Sequence, residues 1–116
     1  MTDYKIDTIL ARTGINNDEK TGALISPIHL STTYQHPEFG QSTGFDYTRT
    51  KNPTRASLEK TLAAIEKADY ALVTSSGMAA LVLLFNGFPV GSQVVAARDL
   101  YGGSFRWFNE QESIGR

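Results

Sequence analysis

The sequence predicts an α/β fold in which an amino-terminal arm leads into a strand–helix–strand unit. Two stretches carry this reading. Tyr70 to Phe85, YALVTSSGMAALVLLF, passes from a short apolar, partly β-branched run (Tyr70 to Thr74) through Ser75-Ser76-Gly77 into an unbroken apolar run of good helix formers (Met78 to Phe85). After the turn Asn86 to Gly91, Val94 to Ala97 repeats the strand pattern. Strand, helix and strand within about 30 residues make a βαβ unit, whose strands are expected to be parallel with a right-handed crossover.

The elements follow in order. Ile6, Ile9 and Leu10 form one apolar stripe of a short helix, expected to start after Asp7 and to end at Gly14. Asn16 to Lys20 is polar. Thr21 to Tyr34 contains Gly22, Pro27 and many hydroxyl residues without helical periodicity, so it reads as an extended arm. Its Ile25, Ile28, Leu30 and Tyr34 need another surface to cover them, such as a second subunit. Gly40 and Gly44 mark a loop, within which Phe45, Tyr47 and Arg49 alternate with polar residues, as in an extended segment presenting Tyr47 and Arg49 on one side. Asn52 is a good N-cap and Pro53 suits the first helical position, where its missing N–H is no loss. From there Leu58, Leu62 and Ile65 form the apolar face of a helix ending near Ala68. At the other end of the chain, Gly102-Gly103 gives the backbone room to turn before a helix over Ser104 to Gln111.

Composition narrows the function. The 116 residues suffice for one domain, and 41% hydrophobic with 20% charged residues fits a soluble globular protein. A net charge of -1 offers no basic stripe for nucleic acid. The absence of cysteine removes disulfides, thiolate nucleophiles and cysteine-ligated metals. His29 and His36 are too isolated for a metal site or a triad, and read as ordinary loop residues. The start of the chain lacks a signal-peptide pattern and Met78 to Phe85 is too short to cross a bilayer, so no membrane partner and a cytoplasmic location are expected.

The Ser75-Ser76-Gly77 junction is the candidate site. The first N–H groups of a helix have no intrahelical partner, and the helix dipole adds partial positive charge there, which suits phosphate. Gly77 lets a ligand approach the backbone, and the serine hydroxyls either cap the helix or bond phosphate oxygens. The same residues also make an ordinary turn and N-cap. Tyr101, following the second strand, falls at the same carboxyl edge of the sheet, where open α/β sheets bind ligands. A tyrosine ring beside a phosphate cradle suits a planar phosphorylated cofactor, although it would equally pack on the next helix. Tyr47 and Arg49 pair a hydroxyl with a guanidinium fork, a suitable set for an anionic oxygen or simply a solvated loop.

Three motifs then coincide: Tyr47-Thr48-Arg49-Thr50-Lys51-Asn52-Pro53-Thr54-Arg55, Ser75-Ser76-Gly77-Met78-Ala79-Ala80 and Asp99-Leu100-Tyr101-Gly102-Gly103. In order and spacing they resemble the amino-terminal part of the cysteine/methionine-metabolism family of pyridoxal-phosphate enzymes, which includes cystathionine γ-synthase, cystathionine β- and γ-lyases, methionine γ-lyase and O-acetylhomoserine sulfhydrylase. Ser26-Pro27-Ile28 and Ser31-Thr32-Thr33-Tyr34 extend the resemblance into the arm. The resemblance implies the start of an aspartate-aminotransferase-like (fold type I) large domain, with residues 1–52 as arm and intersubunit loop and 53–116 as the incomplete start of that domain. It implies pyridoxal 5'-phosphate as cofactor and a small sulfur amino acid as substrate. It further implies that Ser76, Gly77 and Met78 cradle the cofactor phosphate and that Tyr101 stacks on its ring. Tyr47 and Arg49 would reach the phosphate of a neighbouring subunit, in dimers paired into tetramers. Thr50, where members vary, points toward the lyases or sulfhydrylases.

One departure concerns the chemistry. None of Lys5, Lys20, Lys51, Lys60 or Lys67 matches the family's Schiff-base lysine motif, so no catalytic residue is expected in this chain. Two other readings compete: a non-catalytic assembly fragment of the same family, and an unrelated phosphate-binding α/β module.

Overall fold

The computed structural model describes residues 4–13 and 18–116. The chain divides into two compact units, Met1–Val73 and Thr74–Arg116.

The first unit carries two helices. Helix α1, Ile6–Ala11, starts one residue ahead of Asp7. Lys5 supplies the capping carbonyl, accepting from the Thr8 and Ile9 N–H groups at 2.9 and 3.0 Å. Asp7 therefore lies in the first turn, where its charge meets the positive end of the helix dipole. The helix closes at Arg12, and the expected terminator, Gly14, lies outside the described residues. Helix α2, Pro53–Glu66, begins as the sequence predicts: the Asn52 Oδ1 accepts from the Thr54 N–H at 2.8 Å. Its best-buried positions are the small residues Thr61 and Ala63, while Leu58 of the expected apolar face is 44% exposed. It ends at Lys67, which adopts the left-handed conformation (φ 54°) that glycine usually provides.

Between the helices, Asp18 builds a turn by accepting from the backbone of Lys20 and Thr21 and from the Thr21 hydroxyl. The following arm is extended and tied to the start of α2: the His29 N–H donates to Thr54 Oγ1 at 2.8 Å, and Asn52 Nδ2 donates to the His29 carbonyl at 3.1 Å. An antiparallel bridge joins Thr33 to Tyr47, with Tyr34 N–H donating to Asp46 O and Thr48 N–H to Thr32 O. His36 Nε2 lies 2.9 Å from Asp46 Oδ1, so this histidine pins the loop. Of the arm's apolar residues, Ile25, Ile28 and Leu30 remain uncovered, at 82%, 77% and 90% exposed, while the Tyr34 ring packs on Phe45 at 5.8 Å.

Tyr70 to Thr74 and Val94 to Ala97 correct the expected βαβ unit. Neither is helical, and no β-ladder forms among the described residues. A strand is defined by its partner, and neither segment has one here; the Val73 N–H instead donates to the Glu59 carboxylate at 3.1 Å.

In the second unit, α3 spans Gly77–Asn86 and α4 spans Gly102–Ser113. Both glycines expected to precede α4 lie inside its first turn, because Tyr101 is already positioned to accept from the Phe105 N–H at 3.1 Å. The two helices are joined by aromatic packing: Phe85 lies 5.5 Å from Trp107 and 5.1 Å from Phe108, the latter edge-on. Such pairs contribute about 0.5–1.5 kcal/mol each beyond their buried area. No helix among the described residues is long and apolar enough to cross a membrane.

Candidate phosphate and ring site

Ser76 directs the local fold. Its extended backbone (φ -160°, ψ 161°) delivers the chain into α3, and its Oγ accepts from the Ala79 N–H at 3.1 Å. Its carbonyl accepts from the Ala80 N–H at 3.1 Å and from the Thr74 hydroxyl at 2.9 Å. Of the two roles open to this hydroxyl, capping is the one it takes. The Gly77 and Met78 N–H groups are left without a protein acceptor among the described residues, at the positive end of the helix. Nothing lies within 4 Å of the position a Cβ on Gly77 would occupy.

Ser76, Gly77, Met78, Tyr101 and Ser104 line one open cavity of about 370 Å³. Four of the residues singled out in the sequence thus come together, and Ser104 is an addition. It is buried, and its hydroxyl donates to the Met78 sulfur at 3.7 Å, tying the start of α4 to the start of α3. Its isolated position in the sequence carries no signal of that role. Tyr101 is 73% exposed and its ring lies over Gly103: a Cβ there would sit 2.6 Å from Tyr101 Cε1 and 3.2 Å from the Met78 sulfur. Glycine at this position is what lets the ring lie against the helix. A larger cavity of about 660 Å³, bordered by Phe85, Val94, Trp107 and Phe108, is the space beside the aromatic cluster and contains no helix N-terminus.

Tyr47 and Arg49 belong to the first unit. The alternation suggested an extended segment through both, but the Tyr47 carbonyl accepts from the Thr50 and Lys51 N–H groups at 3.0 and 2.9 Å, so Arg49 sits in a tight turn. The pair shares a side nonetheless, with the Arg49 guanidinium carbon 5.1 Å from the centre of the Tyr47 ring. Arg49 is exposed and forms no ion pair among the described residues. Below it, Arg55 donates to the Thr48 carbonyl at 3.3 Å and the Thr50 carbonyl at 2.6 Å. Arg55 stands in the first motif, but only the fold reveals that it holds the turn.

A helix start with free donors beside an exposed aromatic ring has the chemistry that suits an anion and a planar ring. Residues 7–114 match the model of the family described as Cys/Met metabolism PLP-dependent enzyme, and the chain belongs to that family. It is 52% identical over 103 residues to a cystathionine gamma-synthase of Haemophilus influenzae, covering 89% of this chain and 28% of the relative. It is 46% identical over 111 residues to a Bacillus subtilis cystathionine gamma-synthase/O-acetylhomoserine (thiol)-lyase, covering 95% and 30%. A crystal structure of cystathionine gamma synthase from Xanthomonas oryzae pv. oryzae in complex with cystathionine superposes with a TM-score of 0.91 at 38% identity, covering 98% of this chain and 30% of that one. The chain thus spans less than a third of the length of these relatives.

Proposed function

We propose that residues 1–116 are the amino-terminal portion of a pyridoxal-phosphate-dependent transsulfuration enzyme, acting by elimination or γ-replacement on cystathionine-like sulfur amino acids. The observation that carries this is the pair of free N–H groups at Gly77 and Met78, beside the exposed ring of Tyr101 in one cavity. In this reading Ser76, Gly77 and Met78 receive the cofactor phosphate, with Ser76 keeping the helix start in shape. Tyr101 stacks on the cofactor ring. Tyr47 and Arg49 contribute a hydroxyl and a guanidinium to the phosphate in a neighbouring subunit. Residues 1–52 serve as arm and intersubunit loop, and 53–116 as the start of the fold type I large domain. The assembly is a dimer or tetramer in the cytoplasm.

Pyridoxal phosphate, when bound, supplies the electron sink for the reaction. In this reading the residues of this chain bind and orient it, and none of Lys5, Lys20, Lys51, Lys60 or Lys67 carries it; Thr74 to Arg116 contains no lysine. The uncovered arm favours self-association in either an active or a non-catalytic assembly, which is the second reading.

The test uses a chimera in which residues 1–116 replace the aligned segment of the Haemophilus influenzae relative. It is expected to bind pyridoxal phosphate and turn over cystathionine-forming substrates or cystathionine itself, whereas the 116-residue chain releases no oxoacid above the rate of free cofactor. Subunits carrying Arg49→Ala, mixed with subunits lacking the cofactor lysine, are expected to restore part of the activity. A chimera that assembles but shows no phosphate-dependent cofactor binding refutes the reading; cofactor binding without turnover leaves only the non-catalytic assembly.

A further inference from the structure

We infer that Arg55 is a positioning residue for the anion-binding face of Arg49, acting through the backbone of the turn between them. This inference rests on the reading of Arg49 as a phosphate ligand and assigns the residue that aims it.

The turn Thr48 to Thr50 has Arg49 at its centre, and its conformation is set by two peptide planes, one on each side of the Arg49 Cα. Arg55 bonds to the carbonyls of both planes and of the one that follows: Nη1 donates to Thr48 O at 3.3 Å and to Arg49 O at 3.5 Å, and Nη2 donates to Thr50 O at 2.6 Å. A planar guanidinium with its donors in a fixed fork holds two acceptors in a defined relation, which a single ammonium does not. The fork is itself oriented. Arg55 Nε lies 3.5 Å from Glu59 Oε1, one helical turn along α2, and the same oxygen accepts from the Val73 N–H at 3.1 Å. Both side chains are partly buried, at 30% and 23% exposure, unlike the exposed Arg49. Asn52 Nδ2 adds a further restraint by donating to Thr48 Oγ1 at 2.6 Å. The turn is therefore anchored on a helix, and the cationic side chain at its centre, that of Arg49, is left exposed.

An anchor of this kind has a signature that general stabilisation lacks. It affects recognition of the phosphate and leaves recognition of the ring alone, and its effect depends on Arg49 being present. In the chimera, affinities for pyridoxal phosphate and for pyridoxal, which has no phosphate, are measured for Arg49→Ala, Arg55→Ala and the double variant, with thermal melts alongside. Arg55→Ala is expected to weaken pyridoxal phosphate by roughly tenfold, consistent with loss of one charge-assisted contact, and to leave pyridoxal unchanged. In the Arg49→Ala background the same replacement is expected to have no further effect on the phosphate preference. If Arg55→Ala does not assemble, Arg55→Lys keeps the charge near Glu59 and loses the fork, and a roughly threefold loss confined to pyridoxal phosphate is expected.

Equal loss for both ligands, or an undiminished effect of Arg55→Ala without Arg49, shows a merely structural role and overturns the inference. So does an unchanged phosphate preference in Arg55→Ala or, where only it assembles, in Arg55→Lys. If Arg49→Ala itself leaves the preference intact, the phosphate-ligand reading of Arg49 fails first, and the inference falls with it.

Discussion

Replacing Gly103 by Ala should raise the stability of α4 while lowering cofactor affinity, two effects of opposite sign from one methyl group. The backbone accepts the change: Gly103 lies within the first turn of Gly102–Ser113 and has no positive φ. Alanine is favoured over glycine in a helix by roughly 0.5–1 kcal/mol. The new Cβ, however, would lie 2.6 Å from Tyr101 Cε1, and carbon atoms prefer about 3.5–4.0 Å, so the ring must withdraw by about 1 Å. The Met78 sulfur at 3.2 Å blocks one way of relieving the contact. An aromatic stack is worth about 0.5–1.5 kcal/mol, so its loss should weaken pyridoxal phosphate by roughly two- to tenfold. The assay is a fluorescence titration of the chimera with cofactor, paired with thermal unfolding of its cofactor-free form. Two controls isolate the ring: Tyr101→Phe should retain the cofactor far better than Tyr101→Ala, and Gly103→Ala should have no effect on affinity once Tyr101 is Ala. Wild-type affinity in Gly103→Ala, together with a raised melting temperature, would refute the claim that Gly103 places the ring.

Two further predictions concern the first unit. Lys67 holds a left-handed conformation at the end of α2, so Lys67→Gly should stabilise the chimera by about 1 kcal/mol, read from denaturant midpoints at constant slope; an unchanged or lower midpoint would show the strain to be absent. The Thr21 hydroxyl, followed by the Thr21 and Lys20 backbone, holds the Asp18 carboxyl below its ordinary value of 3.8. A depressed carboxyl stabilises the folded turn above that value, and the contribution disappears as pH falls through the lower folded value. An NMR titration of Asp18 should therefore give a midpoint below that of Thr21→Ala; coincident midpoints would remove the hydroxyl as the cause.

Local signals made much of this chain legible. Asn52-Pro53 marks the start of α2 because a cap and a first-turn proline act within three residues, and Ser76 marks α3 for the same reason. The strands were not legible in this sense: Tyr70 to Thr74 and Val94 to Ala97 have strand composition, but a ladder depends on a partner that no stretch of sequence contains by itself. Tyr47 and Arg49 lie on one side as the alternation predicts, but a turn and not an extended segment places them there. The roles of Arg55 and Ser104 have no local signal because their contacts cross to other elements, Arg55 to the preceding turn and Ser104 to α3. The motif match placed the chain in its family because it weighs all these positions together, whereas each residue alone is compatible with an ordinary loop or cap.

The hydroxyl of Ser76 closes the first turn of α3 by itself, which bears on how an anion would enter. With the Ala79 donor satisfied by Ser76, Gly77 and Met78 hold helical geometry through the chain's own bonds. Fixing the backbone of a residue costs roughly 1–2 kcal/mol, and here folding has met that cost before any encounter. An arriving phosphate has to shed water and displace it from two N–H groups, but it has no chain to order. Its capture should accordingly be rapid and show little heat-capacity change, as for an ion docking on a preformed surface and not for a segment that folds around its ligand.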